Sequence, residues 1–326
     1  MRENSANDVP IKRYCHNGMA GILNFVLMKI PVLYLLPILL LLCCSNSCDK
    51  KANQNDSRAY NFSHPSARID LPKILNEISG LVLIDTNQFA CIQDEKGVVF
   101  IYDLKSEKII DEFRFAEDGD FEGIAKVGHA LYVLRSDGEL FHVMNFLSDS
   151  FRVEQFTTGV PADNNEGLCY DSAETRLLIG CKSKIGAGKA YKDIRAVYEF
   201  DLITHRLNPQ PAFEFYIPDL INWADSAKVK LPVKEKKSGE ETAVKFRTSA
   251  IAIHPITGNL HLLSASDHMY FEFRRDGTPV CMELMNDKKF NKPEGICFYR
   301  NGNMLITNEA QDKKPTLYLF NYNSAQ

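Results

Sequence analysis

Four glutamates recur in one short context. Glu77-Ile-Ser-Gly-Leu81, Glu122-Gly-Ile124, Glu166-Gly-Leu168 and Glu294-Gly-Ile296 each set an acid near a glycine and a branched apolar residue, and Ser249-Ala-Ile251 is a degenerate copy. Carboxylates that converge need a counter-charge, or their pKa values climb. A hard divalent cation with oxygen ligands supplies one, and Ca²⁺ tolerates irregular oxygen cages best. Glu77, Glu122, Glu166 and Glu294 are therefore candidate Ca²⁺ ligands, with water or backbone carbonyls completing the shell. The structural alternative is that each glutamate accepts backbone hydrogen bonds from the neighbouring unit and ties the repeats together. Four copies in register favour the cation, and Ser249 leaves one place without an acid.

A second polar set follows the next apolar run of each unit: Asp94-Glu95, Arg135-Ser136-Asp137, Lys182-Ser183, Ser264 to Asp267, and Asn308-Glu309. Asp94, Glu95, Asp137, Lys182, Asp267, Asn308 and Glu309 are candidates for a ligand-binding rim. Ordinary turn chemistry explains the same residue types, since Asp, Asn and Ser favour turns. The run Lys182-Ser-Lys-Ile-Gly-Ala-Gly-Lys189, continued by Lys192 and Arg195, lacks the spacing of a phosphate-cradling P-loop. As a basic hairpin loop it could attract a small anionic ligand. The lone tryptophan, Trp223, reads as a loop anchor or an exposed binding aromatic. The histidines are scattered without HExxH or paired-ligand spacing, which argues against zinc hydrolysis. No GxSxG elbow is present.

The elements that must position these residues are strands. The motif positions 77, 122, 166, 249 and 294 are separated by 45, 44, 83 and 45 residues. After each motif come short alternating runs, as in GLVLI, FACIQD, VVFIYDL and KIIDEFRF. Turn dipeptides separate such runs, among them Asp118-Gly119, Asp137-Gly138, Asp276-Gly277 and Asn301-Gly302. Four strands in about 45 residues is the period of a β-propeller blade. In a propeller the first strands line the axis, so glutamates at their start would point into the channel. The expected fold is all-β, a five-bladed propeller, with six blades as the alternative because 83 is close to two periods. Residues 218–247 are charged and poorly alternating, which favours an insertion over a sixth blade. The last unit lacks a fourth strand, and residues 67–75 can supply it and close the ring, leaving no unprotected edge. No amphipathic helix is expected after the N-terminal segment.

Residues 30–44, IPVLYLLPILLLLCC, form an apolar stretch short for a membrane span and right for a signal-peptide core. Ser45-Asn46-Ser47 before Cys48 resembles a bacterial lipobox, and Met28 is a candidate true start. The expected organisation is a targeting segment at 1–48 with lipidated Cys48, a flexible tether at 49–66, and one propeller domain at 67–326. An uncleaved signal anchor is the alternative. The protein would then sit in the bacterial cell envelope, held to the membrane through its N-terminal lipid on a periplasmic or outer-membrane face. Of the nine cysteines, Cys91, Cys169, Cys181, Cys281 and Cys297 lie in apolar strand-like runs, where a free thiol behaves as a small hydrophobe. Lys and Arg total 38 against 42 Asp and Glu, so the basic surplus of a nucleic-acid binder is missing.

EISGL, DFEGI, NNEGL, KPEGI and the LITNE run together resemble the SdiA-regulated (YjiK-like) family of bacterial envelope propellers, which is distantly like NHL-repeat and esterase-like phytase-type propellers. The resemblance spans about residues 68–322. It implies a five-bladed, calcium-binding propeller without an established biochemical activity, with Ca²⁺ at Glu77, Glu122, Glu166 and Glu294. Three functions follow in order of preference. The first is a non-catalytic monomeric binding propeller that takes a protein or a small anionic ligand and no nucleic acid. The second is a Ca²⁺-dependent phosphoesterase or lactonase at the channel, using a base such as Asp94, Glu95 or Glu309. The third is a protein-interaction scaffold.

Overall fold

The computed structural model describes residues 59–237 and 239–324. The targeting segment, Cys48 and most of the expected tether lie outside them. Most strands pair with their sequence neighbours, building antiparallel sheets around an axis. Blade 1 runs Ile78–Leu83, Gln88–Gln93, Val98–Asp103 and Lys108–Arg114 from axis to periphery. Blade 2 is Phe121–Val127, Ala130–Arg135, Glu139–Met144 and Arg152–Thr157. Blade 3 is Asn165–Asp171, Arg176–Cys181 and Ile194–Asp201, with its outer edge shared by Arg206–Leu207 and Phe213–Tyr216. Blade 4 is Ala250–Ile253, Leu260–Ser264, Met269–Phe273 and Pro279–Leu284.

Blade 5 joins the two ends of the domain. Pro293–Phe298, Met304–Asn308 and Thr316–Phe320 come from the C-terminal side, and Ala67–Asp70 from the N-terminal side adds the outer strand in the register Ala67 to Leu319. The five-blade count and the ring closure expected from the repeat are both present. The six-blade alternative is overturned: the extra length holds a helix, Ile217–Ser226, and a small hairpin of Val233–Lys236 with Gly239–Thr242. The expectation of no amphipathic helix is also corrected. Ile217, Leu220 and Ala224 recur at helical spacing, are buried, and pack with Phe213, Phe215 and Phe246 against blade 4. Pro218 sits in the first turn, where its missing N–H costs nothing.

A hydrophobic core fills each seam between blades. Between blades 1 and 2 it contains Ile92, Val99 and Ile101 with Ile124, Val133 and Phe141. Between blades 4 and 5 it includes two residues once assigned to the tether. Tyr60 and Phe62 are buried, Tyr60 Oη donates to the Gly302 carbonyl at 2.6 Å, and the Phe62 ring lies 4.8 Å from that of Tyr270. Residues 59–66 therefore belong to the propeller. Cys91, Cys169, Cys181 and Cys297 are buried free thiols, and Cys281 is partly buried.

Polar latches supplement these cores. The Asp171 carboxylate of blade 3 is buried and accepts both Nη1 and Nη2 of Arg275, from a turn of blade 4, at 2.6 and 2.7 Å, and Nε of Arg176 at 3.1 Å. Burial alone would raise the Asp171 pKa, but the Arg275 and Arg176 guanidiniums hold it below the usual carboxylate range. Asp171→Ala is expected to destabilise the fold by ~2–3 kcal/mol, measured by denaturant unfolding. The loss stays modest because Arg275 is partly exposed and Arg176 keeps its pairing with Glu199.

Candidate functional site

The Glu-Gly pair works through a backbone irregularity. The innermost strand pairs with its neighbour as Phe121 to Arg135 and then Gly123 to Leu134, so Glu122 is bypassed at a bulge. Blade 5 repeats this with Pro293 to Asn308 and Gly295 to Thr307, bypassing Glu294. In blade 3 the irregularity lies between Asn165 and Leu168, around Glu166. A bulge leaves its extra residue out of the ladder and re-aims the side chain, here toward the axis. The glycine that follows is required by crowding. A Cβ on Gly123 would lie 2.7 Å from Leu168 Cβ and 2.8 Å from Leu168 N of the next blade. Gly167 adds a φ of +92°, which side-chain-bearing residues rarely adopt.

The three bulge glutamates meet. One oxygen from each of Glu122, Glu166 and Glu294 falls within 4.8 Å of the others, and all three residues are buried. The fourth sequence candidate, Glu77, stands outside this cluster. In blade 1 the bypassed residue between Ile78 and Gly80 is Ser79, so Ser79 and not Glu77 holds the ring position. Aligning on the acid shifted the motif by two residues; the glycine that permits close packing is the true anchor. Ser249 holds the ring position in blade 4. The two serines turn aside and latch neighbouring blades: Ser79 Oγ donates to the Phe121 carbonyl at 2.6 Å and Ser249 Oγ to that of Pro293 at 2.7 Å. The inter-blade hydrogen bonds considered for the glutamates are thus made by the serines of the ring.

Two lysines flank the acids. Lys182 pairs with Glu166, and Lys292 lies 3.5 Å from Glu294 and also pairs with Glu309. Among the described residues, Glu122 has no lysine ammonium within 4.0 Å. Burial first, then the Glu166 and Glu294 charges, pushes the Glu122 pKa far above the usual carboxylate range. Burial also raises Glu294, against the pull of Lys292, and raises Glu166, against the pull of Lys182. Glu166 Oε2 is buried and meets no amide, hydroxyl or ammonium donor. One carboxyl oxygen of Glu122 lies within 4.8 Å of one on Glu166, and the raised pKa of Glu122 keeps a proton in the ring. Three acids, two ammoniums and a trapped proton make a set that a divalent cation fits by displacing the proton.

Cavities above and below show how the ring is reached. On its polar side a cavity of about 450 Å³ is lined by Glu166, Glu294, Lys182, Lys292, Arg247 and Ser249. At the glycines the axis narrows to a void of about 10 Å³. Beyond lies a cavity of about 250 Å³ walled by Leu81, Ile124, Leu168, Ile251 and Ile296, the apolar residue of each motif. Glu166 and Glu294 therefore border the polar mouth, and Glu122 borders the narrow void behind them.

The rim candidates divide. Lys182 and Glu309 belong to the lysine–carboxylate network, and burial with the nearby Glu77 raises the Glu309 pKa against the pull of Lys292. Asp94 is partly buried, and desolvation together with Glu77 pushes its pKa up to about 6. Glu95 is exposed, and Asp137 pairs locally with Arg135 at 2.8 Å. Asp267 is buried and caps the returning insertion, accepting Lys245 N at 3.0 Å and Phe246 N at 2.7 Å. Asn308 is buried between strands and donates to Thr316 Oγ1 at 3.3 Å. Glu95, Asp137, Asp267 and Asn308 thus serve turns and packing rather than one shared pocket. Lys292 escaped the sequence reading although it opens the KPEGI motif.

No protein-family profile and no curated protein matches this sequence. Among solved structures, the Myxococcus xanthus glutaminyl cyclase is similar at a TM-score of 0.54 and 14% identity, over 80% of this chain and 97% of that one. A streptogramin B lyase structure gives 0.44 and 12%, over 79% and 97% respectively. At such identities the first likeness speaks to the fold alone, and it agrees with the strand order: the chain is a β-propeller of five blades.

Proposed function

We propose that this protein is a calcium-binding propeller whose polar channel mouth is a ligand- or protein-binding surface rather than a catalytic centre. The observation that carries this reading is the meeting of three buried carboxylates, Glu122, Glu166 and Glu294, with their ligand atoms within 4.8 Å of one another. All-oxygen donors of full charge suit a hard cation, and an irregular cage with two serines turned away suits Ca²⁺ better than the strict octahedron of Mg²⁺. When bound, the ion would supply charge neutralisation at the ring and a Lewis-acidic point facing the polar cavity. The chain's own residues hold the rest: Lys182 and Lys292 position Glu166 and Glu294, and the serines fix the blades on either side.

The proposal extends to the motif resemblance, which assigns the chain to the SdiA-regulated (YjiK-like) propellers, and to the cell envelope, with lipidated Cys48 as the membrane anchor. Among the described residues no helix is long and apolar enough to cross a membrane, so that attachment would rest on the N-terminal segment. The hydrolase alternative keeps one supporting observation, the Asp94 carboxyl with its pKa raised to about 6, which suits a general base.

Calorimetric titration with Ca²⁺ in two buffers of different ionisation enthalpy tests the reading. The expected result is one ion per chain, release of about one proton, and affinity that rises with pH. The sign follows from Glu122: its raised pKa keeps it protonated at lower pH, and the cation must displace that proton. Absence of binding across pH 6 to 9 would refute the cation site.

A further inference from the structure

We propose that a basic groove beside the channel mouth binds a small soluble molecule carrying phosphoryl groups. The groove lies between the long hairpin loop of blade 3 and the segment entering blade 4. It encloses about 590 Å³, and Lys182, Lys184, Lys189, Lys192, Arg195 and Arg247 all line it, with no acidic residue in its wall. Lys182 is matched by Glu166. Among the described residues, none of the other five has a carboxylate oxygen within 4.0 Å.

Arg195 carries the argument furthest. It is only 9% exposed, although it bears a full charge. Its Nη1 donates to the Ile194 carbonyl at 2.8 Å and its Nη2 to the Lys245 carbonyl at 3.3 Å, while Nε is buried with no acceptor. Arginines removed from water are ordinarily paired with an acid, because desolvating an unmatched charge is expensive. Here burial and then the like charge of Arg247 push the Arg195 pKa down, against a weaker pull from Asp193 and Asp267, neither of which lies within ion-pairing distance. A buried guanidinium lining a cavity beside four further cations without an ion pair has the make-up of an anion site.

Charge and geometry select the chemistry. A monoanion would answer one of five cations, whereas a phosphoryl group brings nearly two charges and three strong acceptor oxygens. Arginine supplies a planar fork that binds such oxygens in pairs, and lysine supplies mobile point charges. Lys184, Lys189 and Lys192 stand exposed on the loop that carries Gly186 and Gly188. The groove shares Lys182 and Arg247 with the axial cavity, so a bound anion sits next to the glutamate ring. This inference does not rest on the cation: the five unmatched groups have no ion pair with the ring.

The test is calorimetric titration with sodium pyrophosphate at constant ionic strength, on full-length protein freed of divalent ions by dialysis. The expected result is saturable one-to-one binding that Lys189→Glu/Lys192→Glu weakens at least tenfold with an unchanged melting temperature. Arg195→Gln should weaken binding similarly; if it fails to fold, the exposed double variant carries the test alone. Citrate, similar in charge but built of carboxylates, should bind at least tenfold more weakly. No saturable binding, binding unaffected by the double charge reversal, or citrate binding as tight as pyrophosphate would each overturn the assignment. A protein silent to calcium yet responsive to pyrophosphate would refute the cation reading and leave this one standing.

Discussion

Calcium at 1 mM is expected to raise the melting temperature by ~5–10 °C, and Glu122→Gln/Glu166→Gln is expected to abolish that rise. A ligand at a hundredfold excess over its Kd stabilises by about 2.7 kcal/mol, and each kcal/mol moves the midpoint of a domain this size by about 2–4 °C. The double variant keeps the shape of the ring and removes two of its three ionisable carboxyls. Its behaviour without calcium separates the two roles open to these glutamates. As cation ligands, they burden the empty fold with crowded buried charge, so the variant should melt at the same temperature as the native protein or higher. As inter-blade acceptors, they would stabilise the empty fold, and the variant should melt lower. Differential scanning in calcium and in EGTA reads both arms. The serine bonds to Phe121 and Pro293 already provide blade-to-blade contacts at two ring positions, which is why the first outcome is expected.

Removal of residues 1–70 is expected to abolish cooperative unfolding. The cut deletes the closing strand Ala67–Asp70 and opens Thr316–Phe320 as an unprotected apolar edge. It also withdraws Tyr60 and Phe62, buried at 3% and 4% exposure, from the seam between blades 4 and 5. Burial of two aromatic side chains is worth about 2–3 kcal/mol each before cavity effects, and a natural domain has only about 5–15 kcal/mol in total. Phe62→Ala alone should cost ~3–5 kcal/mol. Circular dichroism melts of the truncated and point variants check this. A truncated protein that melts sharply within about 3 °C of the parent would show that the ring does not depend on its N-terminal strand.

Much of the fold was legible because a propeller writes itself as repetition. The runs VVFIYDL and TLYLFNY form short strands buried on both faces, and the dipeptides Asp137-Gly138, Asp276-Gly277 and Asn301-Gly302 fall between strands that pair in the structure. The closing strand was legible from a deficit, the missing fourth run of the last unit. The helix Ile217–Ser226 was not, because the segment was searched for strand alternation, and its apolar residues at 217, 220 and 224 follow the helical period instead.

The site was legible in three of its four acids. Glu122, Glu166 and Glu294 precede their glycines directly, and the bulge delivers all three to the axis. Glu77 is three residues from its glycine, and only the pairing around Gly80 reveals that Ser79 takes the ring place. Lys182 was visible as a rim candidate, but its partnership with Glu166 depends on how the blade 3 hairpin folds back. The meeting of Arg195 with Arg247 lies beyond local reading. The two are separated by the whole insertion and share a cavity only once blade 4 is seated against blade 3.

The most direct test of the central claim is the metal content of protein purified without chelator, measured by inductively coupled plasma mass spectrometry. The account predicts close to one calcium per chain in the native protein and almost none in Glu122→Gln/Glu166→Gln. Calcium absent from the native protein, even after incubation with excess Ca²⁺ and gel filtration, would contradict it. The three glutamates would then be a buried acid cluster held by Lys182, Lys292 and the protonation of Glu122.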